Sequence, residues 1–149
     1  MIRQIFVLAA LALGIFAYFF DGKETEHEVI FTASAPMPIG PYSQGIKVGN
    51  TLYVSGQIGM DTNGKLDSAS IQTEVMQAIK NVEAIVKMAG MEMKDVVKST
   101  LYVKDLNNFA KINEVYGLFF PTDPPARETV QISALPKNAH FEISVVAVK

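Results

Sequence analysis

The chain contains no cysteine. Disulfides, thiolate metal sites and a cysteine nucleophile are therefore excluded, and the absence is compatible with an oxidising compartment. It has two histidines, His27 and His140, far apart and without ligand-spaced partners, so no metal site is expected. It also lacks a surplus of positive charge: 13 basic residues face 15 acidic ones, for a net charge of −2. The segment from Asp21 to Glu28 carries four acids against one lysine, Arg3 stands before it, and residues 29–149 are neutral. A nucleic-acid footprint would need a clustered basic face. No glycine-rich phosphate loop with a lysine occurs, no Ser/His/Asp order suggests itself, and no repeat or low-complexity tract is present. No cofactor is expected. Met88, Met91 and Met93 around Gly90 read as packing residues.

One long apolar run is present, at the start. Residues 5–20 carry no polar side chain except Tyr18. As a helix this run would reach roughly 24 Å, somewhat short of a hydrocarbon core about 30 Å thick. Residues 1–20 are therefore a signal-anchor or a signal peptide. Tyr18-Phe19-Phe20 occupies the place where small residues would mark cleavage, which favours an uncleaved anchor. Arg3 before the run and the acids after it predict an extracytoplasmic domain, periplasmic in a bacterium and secreted if the segment is cleaved. Residues 21–28 read as an acidic linker and residues 29–149 as the domain.

The domain alternates between two periods. Ile46-Lys47-Val48, Gly49-Asn50 and Leu52 to Ser55 predict a hairpin with a tight turn, and Asn63-Gly64 a further turn. Ile71, Val75, Ile79, Val82 and Val86 form one apolar helical face, which Gly90 suits as a cap. Val97, Ser99, Leu101 and Val103 alternate with polar neighbours, as in a half-buried strand. Asp105 is a candidate N-cap for a second helix with Leu106, Phe109, Ile112, Val115, Tyr116 and Phe119 on its apolar stripe. Strands at 129–133 and 140–148 close the chain. The order ββαβαββ predicts an α+β domain, a mixed sheet with both helices on one face. Phe141, Ile143, Val145 and Ala147 can face the helices. Val146, Val148, Tyr53 and Tyr102, with Val130 or Gln131, then leave the outer face semi-apolar, which predicts self-association with sites at subunit clefts.

Two charged residues stand out in apolar strands. Pro124-Pro125-Ala126 stiffens the approach to Arg127, placed just ahead of the Thr129-Val130-Gln131-Ile132-Ser133 strand, with Pro136 ending it. Glu142 lies within the final strand. A planar guanidinium can bind a carboxylate in a bidentate way, and a partly buried carboxylate can manage a proton.

These residues carry a resemblance. Ile39-Gly40-Pro41-Tyr42-Ser43-Gln44-Gly45, Tyr53-Val54-Ser55-Gly56-Gln57-Ile58, Val103-Lys104-Asp105-Leu106-Asn107-Asn108-Phe109 and the Pro-Pro-Ala-Arg to Phe-Glu-Ile segment are similar to the Rid (YjgF/YER057c/UK114) family, from about Thr32 to Lys149. The resemblance implies a chorismate-mutase-like fold and a homotrimer with three sites between neighbouring subunits. It implies hydrolysis of 2-enamino and 2-imino acids to 2-oxo acids and ammonia. By the same resemblance Arg127 is the substrate arginine, Glu142 positions or activates water, and Tyr42 hydrogen-bonds substrate or water. Ser55, Gly56, Asn113 and Thr129 match pocket positions. Thr129 stands where many relatives carry cysteine, and its backbone N–H could serve a carboxylate. Ser144 replaces the second acid of a common Glu-Ile-Glu pattern.

The family resemblance also covers translation inhibitors, nucleases and non-catalytic ligand-binding or chaperone-like proteins, and fold alone does not choose among them. Arg127 and Glu142 favour the enzyme. The apolar N-terminal run lies outside the resemblance, with membrane contact through residues 4–20 as its expected consequence.

Overall fold

Strict alternation along the last strand organises the structure, a computed structural model that describes residues 26–149. In β6 (Phe141–Val148), Phe141, Ile143 and Ala147 are fully buried and Val145 nearly so. Their neighbours Glu142, Ser144 and Val146 are only half-buried and point to the other face. The buried set meets two helices, α1 (Ile71–Met88) and α2 (Phe109–Phe119).

Among the described residues, β1 (His27–Ile30), β2 (Gly45–Val48), β3 (Thr51–Ile58), β4 (Val96–Val103), β5 (Ala126–Gln131) and β6 form one sheet in the order β1-β2-β3-β6-β4-β5. All neighbours are antiparallel except β4 and β5, which run parallel and need the α2 crossover between them. The β2–β3 hairpin turns at Gly49, whose φ of 59° favours glycine.

Helix α1 begins with a capping box. The Ser70 hydroxyl accepts from the Thr73 N–H at 3.1 Å and the Ser70 N–H donates to Thr73 Oγ1 at 3.2 Å. Val75, Ala78, Ile79, Val82, Ile85 and Val86 are all fully buried against the sheet. Each large aliphatic side chain so buried contributes roughly 1.5–3 kcal/mol. Asp105 caps the turn before α2, accepting from the Asn107 N–H at 2.9 Å.

Three sequence expectations are corrected. The sheet has a strand, β1, that begins at His27 and takes in Glu28, both given to the acidic linker. Strand β5 begins at Ala126 and ends at Gln131, so Arg127 sits inside it, and Pro136 opens a short 3-10 turn instead of ending the strand. Val97 is exposed because a bulge between Val96 and Lys98 inserts it as the extra residue, and Val96 takes the buried position. The apolar run of residues 1–20 and most of the linker lie outside the described residues. Among the described residues no helix is long and apolar enough to cross a membrane.

Candidate active site

Glu142 stands on the open face of the sheet, with Tyr102 of β4 and Ile58 of β3 as its cross-strand partners. It is half-buried, and burial alone pushes its carboxyl above the ordinary value near 4.5. An open groove of about 410 Å³ runs past it, lined by Gly56, Tyr102, Ile132, Leu135, Pro136 and Ser144 among others. Ser144, two residues along the same strand, gives this groove a hydroxyl where an acid would have added a second negative charge.

Gly56 makes room for that carboxylate. The β3–β6 register shifts between Val54 and Gln57, so Ser55 and Gly56 occupy a bulge. A Cβ on Gly56 would lie 2.0 Å from Glu142 Oε1 and 2.7 Å from its Cδ, so only glycine lets the carboxylate lie there undisturbed. Ser55 uses its hydroxyl proton on the Ser43 carbonyl at 2.6 Å, tying the bulge to the loop that carries Tyr42. Tyr42 lines a small cleft with Ile39, Gly56, Gln57 and Ile58, and its hydroxyl accepts the Ile39 N–H at 3.1 Å. These four residues, Tyr42, Ser55, Gly56 and Glu142, form one group.

Arg127 belongs to a second group. In β5 it pairs in register with Ser99 of β4, a fully buried residue that faces the helices. The Arg127 guanidinium lies over the Tyr116 ring, 4.7 Å from its centroid, and 5.7 Å from that of Phe109, both on α2. Among the described residues no carboxylate pairs with it. Asn113 sits between those two aromatic residues in the sequence of α2, and its Oδ1 is buried without a hydrogen-bond partner. Thr129 follows Arg127 on the same face of β5. The Ile132 N–H donates to the Val103 carbonyl of β4. Backbone groups alternate in direction along a strand, so the N–H groups of Arg127, Thr129 and Gln131 point away from β4, off the free edge of the sheet. A cation in a ring cradle beside outward N–H donors is an anion-binding arrangement.

Within one chain the two groups do not meet. Arg127 faces the helices and Glu142 faces the opposite side, with β4 between their strands.

Three buried polar residues that the sequence reading left unassigned hold this geometry. Glu74 of α1, 1% exposed, accepts the His140 and Phe141 N–H groups at 2.6 and 3.1 Å, and His140 Nδ1 lies 3.0 Å from its second oxygen. It thus pins the chain directly before Glu142, and it explains His140 as a structural partner. Asn81 donates to the carbonyls of Ile58 and Met60 at 3.1 and 2.8 Å, fixing the end of β3. Gln44 donates to the carbonyls of Thr32 and Pro36 and accepts the Thr32 N–H, holding the segment that leads to Tyr42. The available signal was a polar residue on an otherwise apolar helical face, at positions 74 and 81. Among the described residues no cluster of potential metal ligands occurs.

Residues 32–149 match the family described as endoribonuclease L-PSP. A RutC family protein of Pyrococcus horikoshii is 48% identical over 123 residues, which cover 82% of this chain and 98% of the relative. The human 2-iminobutanoate/2-iminopropanoate deaminase is 47% identical over 122 residues, covering 81% of this chain and 89% of that protein. Escherichia coli TdcF, solved with bound serine, matches at a TM-score of 0.79 and 40% identity over 82% of this chain and 98% of that one.

These relatives correct the expected address. The Pyrococcus protein is accounted for almost end to end by the domain, which leaves it no length for a counterpart of the apolar run. The expectation of a membrane-anchored, extracytoplasmic domain rested on that run alone, and the relatives correct it. The family match spans most of the chain, the relatives agree over nearly their full length, and the sheet and helices are those of the solved members; the chain belongs to the endoribonuclease L-PSP family, that of the Rid and RutC proteins.

Proposed function

We propose that this protein hydrolyses 2-imino and 2-enamino acids to 2-oxo acids and ammonia, at sites completed between the subunits of a homotrimer. The observation that carries the reading is the division of the site. One face presents a half-buried carboxylate in an open groove, and the other an arginine whose in-plane donors no acid among the described residues takes. The activities named for the human relative and for its mouse and rat counterparts support the substrate class.

The chemistry needs little from the protein. Arg127, with the Thr129 N–H beside it, holds the substrate carboxylate. Glu142 of a neighbouring subunit orients water toward the imine carbon and returns a proton to nitrogen. The water oxygen bonds to carbon, the C–N bond breaks, and ammonia leaves as the carbonyl forms. An enamine first takes a proton on carbon to become the imine. Tyr42 and the free Asn113 Oδ1 supply further hydrogen-bonding groups at the two sides of the cleft.

Imines generated by an amino-acid oxidase, with semicarbazide trapping whatever remains, test the reading. The wild-type chain is expected to suppress trapping, and Arg127→Ala and Glu142→Gln each to abolish the effect. Equimolar co-assembly of those two inactive variants should restore about a quarter of wild-type activity, because one interface in four then combines an intact arginine with an intact glutamate. No suppression by the assembled wild-type protein overturns the deaminase reading. No recovery on mixing overturns the shared site. The alternative, a non-catalytic ligand-binding or chaperone-like protein, draws on the exposed Val29, Tyr53, Val130 and Val148. As a holdase it would be indifferent to Arg127→Ala.

A further inference from the structure

The guanidinium of Arg127 is held by faces, and among the described residues its edges are left free. An ion pair would have occupied the in-plane N–H groups, the same donors a bidentate carboxylate requires. Stacking on Tyr116 at 4.7 Å and beside Phe109 at 5.7 Å restricts the plane without using any of them. The Tyr116 ring is itself fixed. It is 5% exposed, and its hydroxyl shares a 2.8 Å hydrogen bond with Ser99, which has no exposed surface. Ser99 is also the in-register neighbour of Arg127 across the β4–β5 pair. Strand, ring and guanidinium thus form a closed circuit: Ser99 sets Tyr116, Tyr116 sets the Arg127 side chain, and the β4–β5 ladder sets the Arg127 backbone. Phe109 adds a second ring from two turns earlier on α2. Burial pushes the Tyr116 hydroxyl above its ordinary value of 10.0, so it stays neutral and adds no charge against the cation.

We propose that Ser99, Tyr116 and Phe109 are positioning residues that hold the Arg127 guanidinium in a fixed plane for the substrate carboxylate, setting affinity for the acid without touching the reacting atoms. The proposal rests on the deaminase reading for its substrate. The cradle predicts that losing a ring raises KM for the imino acid and leaves kcat nearly unchanged, because the arginine grips the same carboxylate before and during reaction.

The test uses the full chain and three variants: Phe109→Leu, at a partly exposed position that leaves the core intact, Tyr116→Leu, and the paired Ser99→Ala/Tyr116→Phe. Size-exclusion chromatography checks that each assembles as the wild type does. Phe109→Leu should raise KM about threefold and Tyr116→Leu about tenfold or more. The paired variant keeps both rings and should raise KM by less than either. Each substitution is repeated in an Arg127→Lys background, where a compact ammonium replaces the stacked plane. There Phe109→Leu should change KM by less than about 1.5-fold, since the two residues act as one unit. An equal rise in both backgrounds, or a fall in kcat in place of the rise in KM, overturns the proposal.

Two further readouts do not depend on turnover. The Arg127 Nε–H resonance should be ring-shifted in the wild type and move toward its free position in Phe109→Leu. Affinity for 2-oxobutanoate, measured by calorimetry, should fall in parallel. A wild type that binds 2-oxobutanoate with this pattern but hydrolyses no imine sinks the deaminase reading and leaves the cradle standing. A wild type that binds no 2-oxo acid, or an Nε–H resonance indifferent to Phe109, sinks the cradle.

Discussion

The two faces of the sheet are finished to different degrees. On the helix side, Leu52, Leu101, Val103, Phe141, Ile143 and Ala147 are wholly buried by groups of the same chain. On the other side Tyr53 and Val130 are 53% and 43% exposed, and Glu142 lies in an open groove. One face is completed by local folding, and the other is a semi-apolar surface with a half-buried carboxylate and, among the described residues, nothing above it. The two halves of the candidate site divide along this line. The arginine stands on the completed side, where packing can hold its plane, and the glutamate on the unfinished side, where a second copy would reach it.

The sharpest break of the comparison is between neighbours in one strand. Phe141→Ala empties a fully buried site and is expected to cost about 3–5 kcal/mol of stability. Ser144→Ala, three residues on and on the open face, should stay within about 0.5 kcal/mol. Thermal unfolding of the two chains checks this, and similar losses would mean that the open face is packed as firmly as the other.

Gly56→Ala comes next and acts on the site without the core. Its Cβ would displace the Glu142 carboxyl, a flexible group that can move aside. Imine hydrolysis should fall about a hundredfold, the cost of misplacing a catalytic group by about an ångström, with the melting temperature little changed. Unaltered activity would remove Glu142 from the chemistry.

Much of this architecture was legible because it is periodic. The apolar face of α1 and the alternation of β6 came from spacing alone. What escaped is physically distinct. The first half of β1, His27 and Glu28, reads as part of an acidic tether because an edge strand needs few buried residues, and of its four only Ile30 is buried. Arg127 falls before the β-branched residues, yet β5 already pairs with β4 from Ala126. Glu74, Asn81 and Gln44 are buried by partners distant in sequence, and no local pattern names those partners. Glu142 reaches the open face through the alternation of β6, whereas the face that Arg127 takes is set by its register with Ser99 of β4, which no local pattern gives.

Tyr53→Asp probes the unfinished face directly. The side chain lies opposite Val146 and is largely exposed in the single chain, so the fold should tolerate it. If this face meets another copy, a charge in its centre should weaken association about tenfold or more. Light scattering over a dilution series would show it, and an unchanged mass would put the contact elsewhere.

The smallest effect concerns the carboxylate itself. Burial raises the Glu142 carboxyl above 4.5, so the folded chain holds its proton more tightly than the unfolded one. Below about 4.5 the group is protonated in both states and costs nothing. As pH rises through the raised value, the unfolded chain gains more from ionising, and stability falls to a constant deficit. Glu142→Gln removes that deficit. The variant should melt slightly above the wild type at neutral pH, and the difference should close as pH falls below the ordinary carboxylate value. A neighbouring subunit's guanidinium facing Glu142 would draw the carboxyl back down. The gain should therefore be larger when both chains carry Arg127→Ala. Equal gains with and without Arg127 would separate the two groups and count against a shared site.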